Sequence, residues 1–142
     1  MRIGAIILAA VALTGCGSHH TRSAEEVARS WSADLNRNDN NAAAWLFADG
    51  AHIVQDGELV LADHAAAVQW NTSLPCGGKI VSVSPRGTTD VLVVFRLKGR
   101  PGHRCDGPGL QAAALFRVRG GRIVLWHQTT VPPAGGEGGT IV

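Results

Sequence analysis

The sequence has very little net charge, because 13 lysines and arginines stand against 11 aspartates and glutamates in 142 residues. Proteins that bind nucleic acid usually carry a clustered excess of basic side chains. Here the basic residues are scattered along the chain, and the densest stretch holds only Arg96, Lys98, Arg100 and Arg104. The composition therefore argues against nucleic acid or another polyanion as a partner.

The N-terminal hydrophobic run is too short to span a membrane. It extends from Ile3 to Leu13, whereas a transmembrane helix needs about 20 apolar residues. Arg2 precedes the run and small residues follow it, which is typical of a cleavable secretory signal. Residues 1–15 are therefore predicted to be a signal peptide.

The end of this run, Leu13-Thr14-Gly15-Cys16, resembles the lipobox of bacterial lipoproteins. The resemblance implies that Cys16 is lipidated and becomes the new N-terminus, and that residues 16–23 form a polar tether. It further implies a protein anchored by lipid to the cell membrane, on the extracytoplasmic face. An ordinary secretory signal, in which Cys16 has no special role, is the alternative.

The body of the chain shows helical spacing in some stretches and strand patterns in others. Val27, Trp31 and Leu35 recur at helical spacing, and Ser23 before them suits a helix N-terminal cap. Helices are predicted in two stretches of residues 24–47, closed by Asp49-Gly50, and over residues 63–74. Strands are predicted at 52–55, 58–61, 79–84, 91–98, 111–119 and 122–130. Helices first and mostly antiparallel strands later indicate an α+β domain.

Only two cysteines remain besides Cys16, namely Cys76 and Cys105. In an oxidising compartment two such cysteines usually pair. Antiparallel pairing of strands 79–84 and 91–98 would bring both to one edge of the sheet. A disulfide there would hold the 99–110 loop, and two separate buried thiols are the alternative. If this loop borders a pocket mouth, its polar residues lie on the rim: Arg100, His103, Arg104 and Asp106.

Two stretches, 35–51 and 115–126, are similar to the NTF2-like superfamily, which includes SnoaL-like proteins and ketosteroid isomerases. The first reads Leu35-Asn36-Arg37-Asn38-Asp39 and then Trp45-Leu46-Phe47-Ala48-Asp49-Gly50-Ala51. The second is the closing hairpin about Gly120-Gly121. The resemblance implies a cone over residues 24–131, in which a strongly curved sheet wraps around helices. Residues 132–142, rich in glycine, are predicted to be a disordered tail.

The catalytic groups of ketosteroid isomerases are not matched. The resemblance places the family's tyrosine at Trp31, its aspartate base at Gln55 and its protonated aspartic acid at Ala114, and the chain contains no tyrosine at all. None of the three chemical groups is kept, so proton-shuttling isomerisation is not predicted and no catalytic residue is assigned. These three mismatches favour a protein that is not an enzyme.

The same resemblance implies an apolar and aromatic cone interior with two amides as polar groups. Such a lining suits either a pocket for an apolar ligand or a filled core. The predicted interior side chains are Trp31, Ile53, Gln55, Trp70, Val93, Phe95, Leu97, Ala114, Phe116, Trp126 and Gln128.

His52, His64, His103 and His127 lie on separate predicted elements without a short ligand spacing, so no metal site and no cofactor are predicted. Three functions stay open. The first is a lipid-anchored, non-catalytic domain that binds an apolar small molecule or lipid in its cone. The second is a cell-envelope interaction module or homodimer, with a filled cone and an exposed apolar face at Leu92 and Val94. The third is a SnoaL-like enzyme of unknown reaction.

Overall fold

The computed structural model describes Gly15 and residues 17–133. The predicted signal peptide (apart from Gly15), the predicted lipidation site Cys16 and most of the predicted tail therefore lie outside the described residues. Among the residues described, no helix combines the length and the hydrophobicity that a membrane span requires.

Within residues 17–133 the domain consists of three helices and one six-stranded sheet. The elements are α1 (Ala24–Asn36), α2 (Asn40–Trp45), β1 (Phe47–Val54), β2 (Glu58–Leu61), α3 (His64–Ser73), β3 (Gly77–Arg86), β4 (Asp90–Lys98), β5 (Gln111–Arg119) and β6 (Arg122–Thr129). The sheet order is β2-β1-β6-β5-β4-β3, and all neighbouring strands are antiparallel except β1 and β6, which run parallel. This confirms the predicted α+β class.

Helix α1 begins with reciprocal capping hydrogen bonds. The Glu26 amide donates to Ser23 Oγ at 3.2 Å, and the Ser23 amide donates to Glu26 Oε2 at 2.7 Å. These two bonds satisfy amides that the first turn of a helix leaves without partners. The hydrogen bond from the Ser23 amide, together with the nearby His20 side chain, also holds the pKa of the Glu26 carboxyl below its usual value. The apolar side of α1 contacts β3, β4, β5 and β6, so the sheet wraps around this helix.

The second of the two helices predicted within residues 24–47 was placed too far toward the C-terminus, and Asp49-Gly50 does not close it. The helix stops at Trp45, and strand β1 begins at Phe47. The Ile123 amide donates to the Leu46 carbonyl at 2.8 Å, and Phe47 pairs with Ile123 in the parallel ladder. Gly50, at φ 80°, lies where the register of that ladder shifts. Pairing with a distant strand therefore overrides the local helical pattern.

Strand β3 is longer than predicted at both ends, since it covers Gly77–Arg86 instead of 79–84. Gly77 and Gly78, which lie before the predicted strand, belong to β3. A Cβ on Gly77 would lie 2.3 Å from Asn36 Oδ1, and one on Gly78 would lie 3.0 Å from Phe95. The two glycines therefore let α1 and β4 approach the backbone of β3 closely.

The outer face of the sheet is covered where the sequence suggested an exposed apolar patch. Leu92 and Val94 are 8% and 7% exposed, and they form a small second core with Ala113. Leu115 and Val131, the latter from the segment after β6, pack against it. The exposed apolar face required by the interaction-module hypothesis is thus absent at Leu92 and Val94.

Candidate functional site

A cavity of about 160 Å³ lies between the C-terminal half of α1 and the adjoining ends of β3, β4, β5 and β6. Its exposed lining residues, Pro75, Asp106 and Gln128, mark the mouth. The other lining side chains are mostly apolar or aromatic. The full lining consists of Trp31, Ser32, Leu35, Gln55, Leu74, Pro75, Cys76, Gly77, Gly78, Phe95, Leu97, Asp106, Ala112, Ala113, Ala114, Trp126 and Gln128.

The structure divides the predicted interior residues into two groups. Seven of them line the cavity: Trp31, Gln55, Phe95, Leu97, Ala114, Trp126 and Gln128. The other four are buried in the core but do not line the cavity, because neighbouring side chains fill the space around them: Ile53, Trp70, Val93 and Phe116.

Trp31 is the centre of the aromatic packing that fills the rest of the cone. Its ring centroid lies 5.3 Å from that of Phe116, 6.0 Å from Trp126, 6.1 Å from Phe95 and 6.4 Å from Trp70. Aromatic pairs at these separations gain stability beyond the area that they bury. The cone is therefore filled over much of its depth, and the cavity is the part that remains open.

Trp31 and Trp126 line the cavity, but their indole N–H groups do not face it. The Trp31 indole donates to Asn71 Oδ1 at 2.8 Å, and the Asn71 amide donates to the Ala67 carbonyl at 2.8 Å. The Trp126 indole nitrogen is buried and has no hydrogen-bond partner among the described residues. Both tryptophans therefore line the cavity with ring carbons.

Polar groups near the mouth come from Gln55, Gln128 and Asp106. Gln55 directly follows the last residue of β1 and lines the cavity. Gln128 pairs with Ala114 across the β5–β6 ladder. Within the part of the chain that the structure describes, Asp106 is the one ionisable side chain in the lining. The geometry thus combines an apolar interior with amides and a single carboxylate toward solvent.

The disulfide prediction is confirmed, and the bond lies at the mouth. Cys76 and Cys105 are bonded, with their Cα atoms 4.6 Å apart. Cys76 belongs to the lining, as does Asp106 from the loop that the bond holds. Of the four predicted rim residues, only Asp106 lines the cavity.

Arg100 was predicted as a rim residue, and the structure corrects this because its side chain is buried, at 4% exposure. Its guanidinium donates to the Asn71 and Leu74 carbonyls at 2.9 and 3.0 Å, and to Asn38 Oδ1 at 2.7 Å and Asn40 Oδ1. Burial lowers the pKa of this guanidinium, which nevertheless remains charged at neutral pH. Arg100 therefore ties the 99–110 loop to the end of α3 and to the α1–α2 turn.

The one sequence signal for this arrangement is the run of asparagines at the α1–α2 junction. Asparagine oxygens are hydrogen-bond acceptors, and Asn38 and Asn40 supply two of them to Arg100. Asn36 serves in a different contact, where its side chain bonds both the amide and the carbonyl of Gly78 at 2.9 Å.

Three histidines of the folded domain bond to separate partners, and none of the three lines the cavity. His52 lies 2.7 Å from Glu58, His64 lies 2.8 Å from Asn41, and His103 Nε2 lies 2.8 Å from the Thr72 carbonyl. In Gly15 and residues 17–133, no three side chains of His, Cys, Asp or Glu converge as metal ligands.

No model of a protein family matches the sequence, and no functionally curated protein matches it. Solved structures do match. An NTF2-like protein of unknown function from Cytophaga hutchinsonii superposes with a TM-score of 0.63 at 12% identity, covering 78% of this chain and 92% of that one. A protein from Sphaerobacter thermophilus gives 0.62 at 20% identity, with 78% and 98% covered.

A third match is a protein with a ketosteroid isomerase-like fold from Catenulispora acidiphila, solved in complex with trimethylamine. It superposes with a TM-score of 0.58 at 19% identity, covering 74% of this chain and 85% of that one. Identities this low carry information on the fold alone. The domain has the NTF2-like cone fold, as the sequence resemblance implied.

Proposed function

We propose that this protein is a lipid-anchored domain on the extracytoplasmic face of the cell membrane that binds a small apolar molecule in its cone without converting it chemically. The observation that carries the proposal is the apolar cavity left open in an otherwise filled cone. The NTF2-like fold alone does not decide the function, because one fold serves many functions.

The size of the cavity limits the ligand. Pockets for drug-sized ligands are typically about 300–1,000 Å³, whereas this cavity holds about 160 Å³. An engineered apolar cavity of about 150 Å³ in another protein binds benzene. The ligand is therefore a molecule with one ring or a short branched chain, or the end of a lipid acyl chain, and not a whole lipid.

The chemistry of the lining argues for binding over catalysis. General acid–base catalysis needs a titratable group within hydrogen-bond reach of the reacting atoms. Among the described lining residues only Asp106 is ionisable, and it is exposed at the mouth. The positions that the family resemblance marks as catalytic hold Trp31, Gln55 and Ala114, which cannot exchange a proton near neutral pH.

Two observations support the location. The lipobox-like sequence ends in Cys16, and the Cys76–Cys105 disulfide is of a kind that persists in oxidising compartments.

Replacing Cys16 with serine is expected to move the protein from the membrane fraction to the soluble extracytoplasmic fraction. Retention of the Cys16→Ser protein in the membrane fraction would contradict the lipid anchor.

Ligand binding is tested first by native mass spectrometry of residues 17–142, secreted with the disulfide intact. Added mass that is lost on gentle activation would support a bound ligand and would identify its class. Toluene then serves as a defined probe, and we expect it to shift the indole NMR signals of Trp31 and Trp126.

A matched pair of variants separates the cavity from the surface. Ala114→Leu adds three carbons inside the cavity and should abolish the toluene response, since Ala114 lines the cavity at 1% exposure. Ala33→Leu adds the same atoms on the exposed side of α1 and should leave the response unchanged. An equal response in both variants, or none in the wild type at saturating toluene, would refute the cavity as a binding site.

A further inference from the structure

The fold brings arginines from three separate stretches of the sequence to one end of the sheet. The β3–β4 and β5–β6 turns are adjacent, because the Val118 amide donates to the Thr89 carbonyl at 2.8 Å. Arg86 precedes the first turn, and Arg119 and Arg122 flank the second. We call this surface, together with Arg22, the tether end.

The predicted tether reaches the domain at this same end. The backbone nitrogen of Arg22 lies 3.8 Å from the position that a Cβ on Gly121 would occupy. Six residues before Arg22 in the chain is Cys16, the predicted site of lipidation. A lipid on Cys16 would therefore hold the tether end close to the membrane surface.

The charge of the tether end is largely uncompensated. Arg22, Arg86, Arg119 and Arg122 are exposed, and none of them forms an ion pair with a described residue. The neighbouring acids are mostly engaged: Asp90 pairs with Arg117, Glu25 with Arg29, and Glu26 with Ser23 and His20. Asp49, at the start of β1, is the nearby exposed carboxylate without an ion pair among described residues.

The cavity mouth lies at the opposite end of the strands. Strand β4 begins at Asp90, beside Arg117 at the tether end, and ends at Lys98, which pairs with Gly77 near the mouth. Nine residues of strand cover roughly 25 Å. Helix α1 runs in the same direction, from the tether at Ser23 to the mouth at Asn36.

We propose that the tether end binds the anionic phospholipid headgroups of the membrane that carries the anchor, so that the cavity mouth faces away from the bilayer. Exposed arginines next to a membrane attachment point are attracted to an anionic surface, and each basic residue adds roughly fivefold to partitioning. The inference rests on the proposed lipid anchor, but the surface is separate from the cavity, so it does not depend on whether a ligand binds there.

The test is co-sedimentation of residues 17–142 with vesicles at millimolar lipid. This segment holds every described helix and strand and both disulfide cysteines, so it contains the folded unit. We expect stronger binding to vesicles of phosphatidylglycerol and phosphatidylcholine than to phosphatidylcholine alone, with binding that falls as salt is raised. Equal binding to both vesicles would overturn the proposal.

Two double variants with the same change in net charge decide whether the tether end is responsible. Arg22→Glu with Arg119→Glu alters the tether end, and Lys98→Glu with Arg104→Glu alters exposed residues at the mouth end. The tether-end variant should lose at least about tenfold in partitioning, since two cations are replaced by anions. The mouth-end variant should lose clearly less. Equal losses would show a general effect of net charge and would overturn the proposed orientation, and circular dichroism of both variants checks the fold.

Discussion

The two ends of the sheet are stabilised by different interactions. Toward the tether end the interior is filled, and Val27, Val91, Phe116 and Ile123 are at most 1% exposed. At the mouth end a cavity replaces part of the apolar packing, and the chain is held by the Cys76–Cys105 disulfide and by the buried Arg100. A region that keeps an open cavity forgoes contacts that would otherwise stabilise it. At the mouth, the disulfide and the hydrogen bonds of Arg100 compensate for these missing contacts.

The largest effect that tests this comparison is expected from removing the disulfide. Cys76→Ser with Cys105→Ser frees a segment in which the cysteines are 29 positions apart. The chain-entropy model gives a loss of about 3–4 kcal/mol in the free energy of unfolding. Urea denaturation of residues 17–142 measures it, and the wild type treated with reductant should behave like the variant. A loss below about 1 kcal/mol would show that the mouth end is held without the disulfide.

Replacing Arg100 with methionine should have the next largest effect. Methionine preserves much of the side-chain length, but the two carbonyls and two asparagine oxygens lose their buried donor. We expect a loss of about 2–3 kcal/mol in the free energy of unfolding, because unsatisfied buried acceptors are costly.

The control for this change lies in the same loop. Arg104 is exposed and makes no hydrogen bond with a described residue, so Arg104→Met should change stability by less than about 0.5 kcal/mol. If both variants unfolded at the same urea concentration, the hydrogen bonds of Arg100 would not stabilise the fold as proposed.

The smallest effect is expected at the tether end, from Asp90→Asn. Arg117 donates two hydrogen bonds to Asp90 at 2.9 and 2.8 Å, and these bonds hold the pKa of the Asp90 carboxyl below its usual value. A carboxyl whose pKa is lower in the folded state stabilises the protein above its unfolded pKa, and this stability is lost as the pH falls through the folded pKa.

The wild type should therefore unfold at a slightly higher urea concentration than Asp90→Asn at pH 7, and the difference should disappear at pH 2. Asp49→Asn, at an exposed carboxyl without an ion pair among described residues, should show no such pH-dependent difference. A difference for Asp90→Asn that persisted at pH 2 would show that the pair acts through packing and not through charge.

Local patterns in the sequence predicted most of the elements. The Ser23 cap and the spacing of Val27, Trp31 and Leu35 indicated α1. The strands predicted at 52–55 and 58–61 leave Asp56 and Gly57 for the turn between them, and both residues have positive φ. The strand at Phe47 was missed, because its pairing with Ile123 depends on a residue 76 positions away in the chain. A pattern read within one segment contains no information on such a partner.

The candidate site was predicted only in part for the same reason. The family resemblance placed Phe95, Leu97 and Ala114 in the cone interior, and all three line the cavity. The resemblance could not show that Phe116 and Val93, also placed in the interior, would be covered by neighbouring side chains. It also gave no indication that Arg100 would turn inward to meet Asn38 and Asn40.

The sequence by itself determined the α+β class, the disulfide partners, the NTF2-like resemblance and the mismatch at the ketosteroid isomerase catalytic positions. The tertiary structure alone decided the volume of the cavity, the burial of Arg100 and the clustering of arginines at the tether end. Caps, turns and alternation depend on residues close together in the chain, so they can be read from it directly. A cavity is the space left after distant side chains have packed, and a charged surface depends on which turns become neighbours, so both are set only when the chain folds.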